Sequence, residues 1–163
     1  MQRLTFLNGP KGLPELIKED AGTPCFVYFG AKWCPDCDRS SPLVSKAVSK
    51  ASSACKVFWV DVGDKATFRD KGSEVRRLCS TVWEVRCLPT FVYVGADGAG
   101  RVLDRLDTAL EECEDPEAGL ALATEFMQRC LSAKARVSGR TLAIAGAVAT
   151  IALVVAVTRM RKR

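Results

Sequence analysis

Cys25–Lys50 reads CFVYFGAKWCPDCDRSSPLVSKAVSK, and the order of its parts decides the fold. Its first six residues form a continuous apolar run of strand formers without polar alternation, the pattern of a strand buried on both faces. Two cysteines with two residues between them, Cys34 and Cys37, then open a helix expected to run from about Cys34 to Ala51. Pro42 falls inside that helix and is read as a kink in one helix rather than as a new start at Ser41. A cysteine in the first turn of a helix has its sulfur beside unpaired backbone N–H groups and the positive dipole end, and both favour thiolate over thiol. The spacing puts the second sulfur within disulfide reach. The chemistry expected is dithiol–disulfide exchange, in which Cys34 attacks and Cys37 resolves the mixed disulfide. Lys32 favours the thiolate and Asp36 opposes it, which leaves the net direction of the pKa open.

The competing reading of Cys34 and Cys37 is half of a structural zinc site. Such a site needs a second ligand pair, and the chain has no histidine and no second C-x-x-C. Cys79 and Cys87 are the nearest alternative pair, with Cys79 on an apolar helix face. Redox use is therefore preferred, and no metal or organic cofactor is expected.

Outward from this stretch, Arg3–Leu7 is expected as a short strand and Leu13–Asp20 as a helix. Lys56–Val62 (KVFWVDV) reads as a second buried strand. Glu74–Val82 reads as a helix, with Val75, Leu78, Cys79 and Val82 on one face. Phe91–Gly95 and Arg101–Asp107 form a hairpin around Ala96-Asp97-Gly98. Asp115 caps a last helix that starts at Pro116, runs to about Leu131 and turns Leu122, Phe126, Met127 and Cys130 inward. The order is β-α-β-α-β-α-β-β-α: an α/β domain with a mixed central sheet flanked by helices.

Charge divides the chain. Residues 1–133 carry 17 Lys+Arg and all 19 Asp+Glu, a net of −2, whereas 134–163 carry seven basic residues and no acid. A basic, nucleic-acid-binding body is thereby excluded. The expected organisation is a domain over 1–131, a basic linker over 132–140, an apolar membrane span over Thr141–Thr158 and a basic tail over 159–163. Eighteen uncharged residues make a helix of roughly 27 Å, close to the ~30 Å of a hydrocarbon core. With five residues after the span and no secretory signal ahead, this reads as a tail anchor with the domain facing the cytosol. The short, Ala-rich span and basic tail favour the mitochondrial outer membrane over endoplasmic reticulum or peroxisome. In a reducing compartment the other cysteines stay free.

Trp33-Cys34-Pro35-Asp36-Cys37 after a strand, Pro42 in the helix and Leu88-Pro89-Thr90 before the hairpin together resemble the thioredoxin superfamily. The Pro-Asp dipeptide, with Val62-Gly63-Asp64-Lys65, Phe68-Arg69-Asp70 and Val75-Arg76-Arg77, is similar to the thioredoxin domain-containing protein 17 family over about Phe26–Asp107. The resemblance implies a thioredoxin fold and a cis Pro89 facing the dithiol. It assigns Cys34 as nucleophile and Cys37 as resolving thiol, with Trp33, Pro35, Asp36, Leu88 and Pro89 shaping the substrate rim. It also implies reduction of cystine-like small disulfides or oxidised proteins, with electrons from a thioredoxin reductase-like donor or another external dithiol. Tyr28 departs from the pattern, standing six residues before Cys34 where ordinary thioredoxins carry a buried aspartate.

Two other classes compete with this one: a tail-anchored redox-sensing adaptor with little turnover, and an oxidase or isomerase. Among the remaining thiols, Cys87 is read as packing or as regulatory, Cys25, Cys79 and Cys130 as packing, and Cys55 and Cys113 as loop thiols open to oxidation. Trp59 is expected in the core and Trp83 at a helix end.

Overall fold

The computed structural model describes residues 4–51 and 55–132. The chain divides into two compact units, 1–128 and 129–163, and the fold below is that of the first. Strand β2 (Cys25–Gly30) is buried at all six positions because it lies at the centre of a five-stranded sheet. Around it stand β1 (Leu4–Asn8), β3 (Lys56–Asp61), β4 (Thr90–Val94) and β5 (Val102–Leu106), in the order β1-β3-β2-β4-β5. β3 is parallel to both β1 and β2, β4 is antiparallel to β2, and β5 is antiparallel to β4. This is the mixed sheet expected from the chain order.

The two faces of β2 bury different chemistry. Cys25, Val27 and Phe29 join a largely aliphatic cluster with Leu13 and Ile17 of α1 (Leu13–Glu19), Phe58, Val60, Cys79, Val92 and Trp83. Phe26 and Tyr28 face an aromatic layer instead: Phe26 lies 5.5 Å from Phe91, 5.0 Å from Tyr93 and 5.9 Å from Phe126 between ring centroids. Each such buried aromatic or branched side chain contributes about 1.5–3 kcal/mol. Helix α2 (Pro35–Lys50) covers the aromatic side and continues through Pro42 as one helix. The part of the last helix in this unit, 116–128, packs so closely against α2 that a Cβ on Gly119 would lie 2.7 Å from Leu43 Cδ1.

Several expectations need correcting. The Glu74–Val82 helix is α-helical only over α4 (Glu74–Arg77) and then widens into a π-helical turn, Leu78–Val82. The wider turn shifts the inward face by one residue. Val82 is turned to solvent and Trp83 is fully buried. Two short helices, α3 (Lys65–Arg69) and α5 (Thr108–Glu111), were not anticipated. Trp59 is only half-buried; it stacks 4.1 Å from the Tyr28 ring and covers it from the solvent side. Cys55 is buried rather than exposed in a loop. In the last helix Phe126, Met127 and Cys130 are buried as expected, while Ala123 takes the place given to Leu122. Among the described residues no helix is long and apolar enough to cross a membrane. The expected span over 141–158, its linker beyond residue 132 and the basic tail lie outside the described residues.

Candidate active site

The dithiol stands at the carboxyl end of β2, at the start of α2. Cys34 is the N-cap of that helix, extended at φ −101° and ψ 109°, and Pro35 occupies the first turn, where its missing N–H costs nothing. Cys34 Sγ accepts the backbone N–H of Cys37 at 3.2 Å, so the sulfur takes the part a serine or aspartate oxygen plays in an ordinary cap. Cys34 and Cys37 are joined as a disulfide with their Cα atoms 5.2 Å apart. Leu88 O lies 3.6 Å from Cys34 Sγ, and the Leu88–Pro89 peptide is cis. The expected substrate-rim loop therefore does face the dithiol. Thr90, buried at the start of β4, ties this loop down by donating its hydroxyl to Cys87 O at 2.8 Å.

Trp33 forms the rim on the other side. Its Nε1–H donates to Gly63 O at 2.6 Å, its ring lies 6.0 Å from Phe68, and Lys65 Nζ sits 5.9 Å above it. Gly63 makes this latch possible: at φ +82° it turns the chain from β3 into α3, where Asp64 caps the helix through Thr67 N–H. Between this rim and the Leu88 loop lies an open groove of about 460 Å³ that contains Cys34 but not Cys37 among its lining residues.

Cys37 lies outside this groove and lines a second opening with Tyr28, Lys32, Asp38 and Asp61. Beneath Cys37 the Tyr28 hydroxyl lies 2.9 Å from Ser40 Oγ and donates to Cys37 O at 3.4 Å, all within the buried interior. Burial pushes the Tyr28 phenol up to about 12, Ser40 opposing and the Asp38 charge reinforcing the shift. Asp36, expected on the rim, is engaged by Arg39 Nη2 at 2.5 Å. Cys79 lies in the core, and burial raises its thiol to about 12. Cys87 lines the groove beside Cys34, but burial and then the neighbouring Glu111 raise it to about 11 and keep it a thiol at neutral pH.

Of the residues expected at the site, Trp33, Cys34, Pro35, Asp36 and Leu88 line one groove, while Cys37 and Pro89 adjoin it through the disulfide and the cis peptide bond. Residue-by-residue reading missed Ser40, Gly63 and the cations of the groove, Lys65, Arg69, Lys71, Arg76 and Arg86. A signal for part of that set was present in the Gly63–Lys65 and Phe68–Arg69 stretches, whose site-facing geometry depends on two turns that spacing does not reveal.

A disulfide-forming cysteine pair at a helix start, opposite a cis-proline loop on this sheet, defines a thioredoxin-fold domain with a thiol–disulfide redox site. Solved thioredoxins superpose on it. The Schistosoma mansoni thioredoxin pre-protein matches at a TM-score of 0.56 with 17% identity, covering 78% of this chain and 98% of that one. Spinach chloroplast thioredoxin f matches at 0.53 with 15% identity, over 77% of this chain and 87% of its own. The thioredoxin f2 match, from a complex with ferredoxin:thioredoxin reductase, has a TM-score of 0.51 and 13% identity, covering 74% and 91%. The model of the thioredoxin domain of thioredoxin domain-containing protein 17-like proteins matches residues 11–111, and the chain belongs to that family. Thioredoxin domain-containing protein 17 of Mus musculus and that of Homo sapiens are each 27% identical over 86 residues, 48% of this chain and 67% of theirs.

Proposed function

We propose that the protein is a thiol–disulfide oxidoreductase that reduces small-molecule disulfides such as cystine, and oxidised protein thiols, through Cys34 and Cys37. The observation that carries this reading is the asymmetry of the pair. Cys34 lines the groove between Trp33 and the Leu88 loop with a backbone N–H already on its sulfur, whereas Cys37 lies outside that groove, on the Tyr28 side of the pair. In the reduced protein the Cys34 thiolate attacks one sulfur of the substrate and displaces the other as a thiolate. Cys37 then attacks Cys34 Sγ, releasing the second substrate thiolate and leaving the Cys34–Cys37 disulfide. Two electrons from an external dithiol donor, of the thioredoxin reductase or reduced thioredoxin kind, restore both thiols. Trp33, Pro35, Asp36, Leu88 and Pro89 frame the substrate. In one experiment the pre-reduced chain, Cys34→Ser and Cys37→Ser are mixed with cystine and followed by thiol release and intact mass. The expected result is turnover by the parent chain, none by Cys34→Ser, and an accumulated half-cystine adduct on Cys37→Ser. A folded parent chain that reduces neither cystine nor a protein disulfide would remove the enzyme reading in favour of a redox-sensing adaptor.

The uncharged run 141–158 supports a single-pass anchor with this domain on the cytosolic face, and its short, Ala-rich span and basic tail favour the mitochondrial outer membrane. The expected result is retention of the full chain in the membrane pellet after alkaline carbonate extraction, lost on deleting 141–158. Release of the full chain would overturn it.

A further inference from the structure

The groove in front of Cys34 carries more positive charge than its surroundings neutralise. Lys65, Arg69, Lys71, Arg76 and Arg86 all line it, and none of the five is in an ion pair among the described residues. The two carboxylates of the lining do not balance the five cations: Asp36 is held by Arg39, which stands outside the lining, and Glu111 is engaged with the Cys87 thiol. Nearby Asp64 and Asp70 keep their charge but accept backbone N–H groups of Thr67 and Gly72 and do not line the groove. Two of the cations are held by rings rather than by acids, Arg76 at 5.0 Å from the Phe68 centroid and Lys65 at 5.9 Å from that of Trp33. A ring holds a cation without cancelling its charge. Because Trp33 and Phe68 are themselves adjacent, the charges are fixed beside the reactive sulfur.

We infer that this groove is an anion subsite that selects small disulfides carrying carboxylates close to the sulfurs. The inference rests on the reductase reading above and adds to it the charge class of the substrate. About 460 Å³ is room for a small molecule, within the range of ordinary ligand pockets. Cations gathered within a Debye length of about 8 Å raise the local concentration of an anion, stabilise the thiolate that leaves, and repel a cationic disulfide. Arg69 at the end of α3, Lys71 on the turn that follows and Arg86 beside Cys87 are the three exposed cations placed to meet a carboxylate without first releasing a ring, and the first two lie close together in the chain.

The test compares three disulfides on one short scaffold: dithiodipropionic acid (anionic), hydroxyethyl disulfide (neutral) and cystamine (cationic). Each rate with the pre-reduced full chain in a neutral detergent is divided by the rate with free dithiothreitol, which removes intrinsic reactivity. The expected order is anionic, neutral, cationic, with about tenfold or more between the extremes at low salt, shrinking severalfold at about 0.5 M salt. The double substitution Arg69→Glu, Lys71→Glu is expected to reverse or abolish that ratio. Lys46→Glu with Lys50→Glu, the same charge change at the far end of α2, is expected to preserve it. Equal normalised rates for the three, or the same loss of ratio in both double variants, would overturn the subsite while leaving the reductase reading intact. Failure to reduce all three, with a protein disulfide also left intact, would overturn that reading itself.

Discussion

The two sides of the dithiol are built from opposite materials. In front of Cys34 the lining is charged and open, with five cations around an accessible groove. Beneath Cys37 the hydrogen-bonding groups are neutral and buried, a phenol, a serine hydroxyl and a backbone carbonyl, although Lys32, Asp38 and Asp61 line the opening beside them. On the proposed reading the front acts on a visiting substrate through charges that salt screens. The back fixes the position of Cys37 by directional bonds that salt does not touch. A carboxylate beneath the resolving cysteine could exchange protons with it near neutral pH. Tyr28, pushed up to about 12, holds its proton throughout that range. On the proposed function the contrast would separate two tasks: recognition and thiolate stabilisation would come from the groove and the helix end, and alignment from the floor.

The largest effect expected on the silent side comes from Tyr28→Phe. Losing the bond to Ser40 costs about 1 kcal/mol at neutral pH, moderated because Ser40 Oγ also lies 3.4 Å from Cys37 O. The pH profile of disulfide reduction between about 5 and 9 keeps its midpoint, since the phenol is neutral across it. Stability behaves differently at alkaline pH. The folded pKa of Tyr28 is raised above its unfolded value of 10.0, so its contribution is fully present below about 10 and is lost as pH rises towards about 12. The substitution removes that loss. The denaturant midpoints of parent chain and variant, separated at pH 8, are therefore expected to converge by about pH 11. A shifted kinetic midpoint in the variant would mean that the floor takes part in proton transfer, and the contrast between the two sides would fail.

Legibility in the sequence divides along the same line. Strand β2, the dithiol and the rim proline are local: their signals lie within one apolar run, one two-residue spacing and one Leu-Pro-Thr tripeptide. The cations converge only because Gly63 turns sharply and α3 and α4 are each a few residues long. Short helices of four or five residues lack the periodicity that marks an amphipathic segment. The π turn at Leu78–Val82 defeated the helical spacing in another way, since one wide turn exchanges Val82 for Trp83 on the inner face. Tyr28 was recognised as the residue in the aspartate's place, but its bond to Ser40 joins residues 12 apart and depends on the way α2 lies across β2.

The smallest effect expected is at the hinge between recognition and chemistry, Trp33→Phe. A phenyl ring keeps the contact with Phe68 but loses the 2.6 Å bond to Gly63 O, an exposed bond worth roughly 0.5–1 kcal/mol. That bond ties the rim beside Cys34 to the turn carrying Lys65 and Arg69, so its loss loosens the cations relative to the sulfur without altering the helix cap on Cys34. The interaction is made with bound substrate and transition state alike. Steady-state kinetics with dithiodipropionic acid should accordingly show KM raised about two- to threefold and kcat unchanged. A fall in kcat at constant KM would place Trp33 among the groups acting on the transition state, and the division between a recognising front and an aligning back would have to be redrawn through the rim itself.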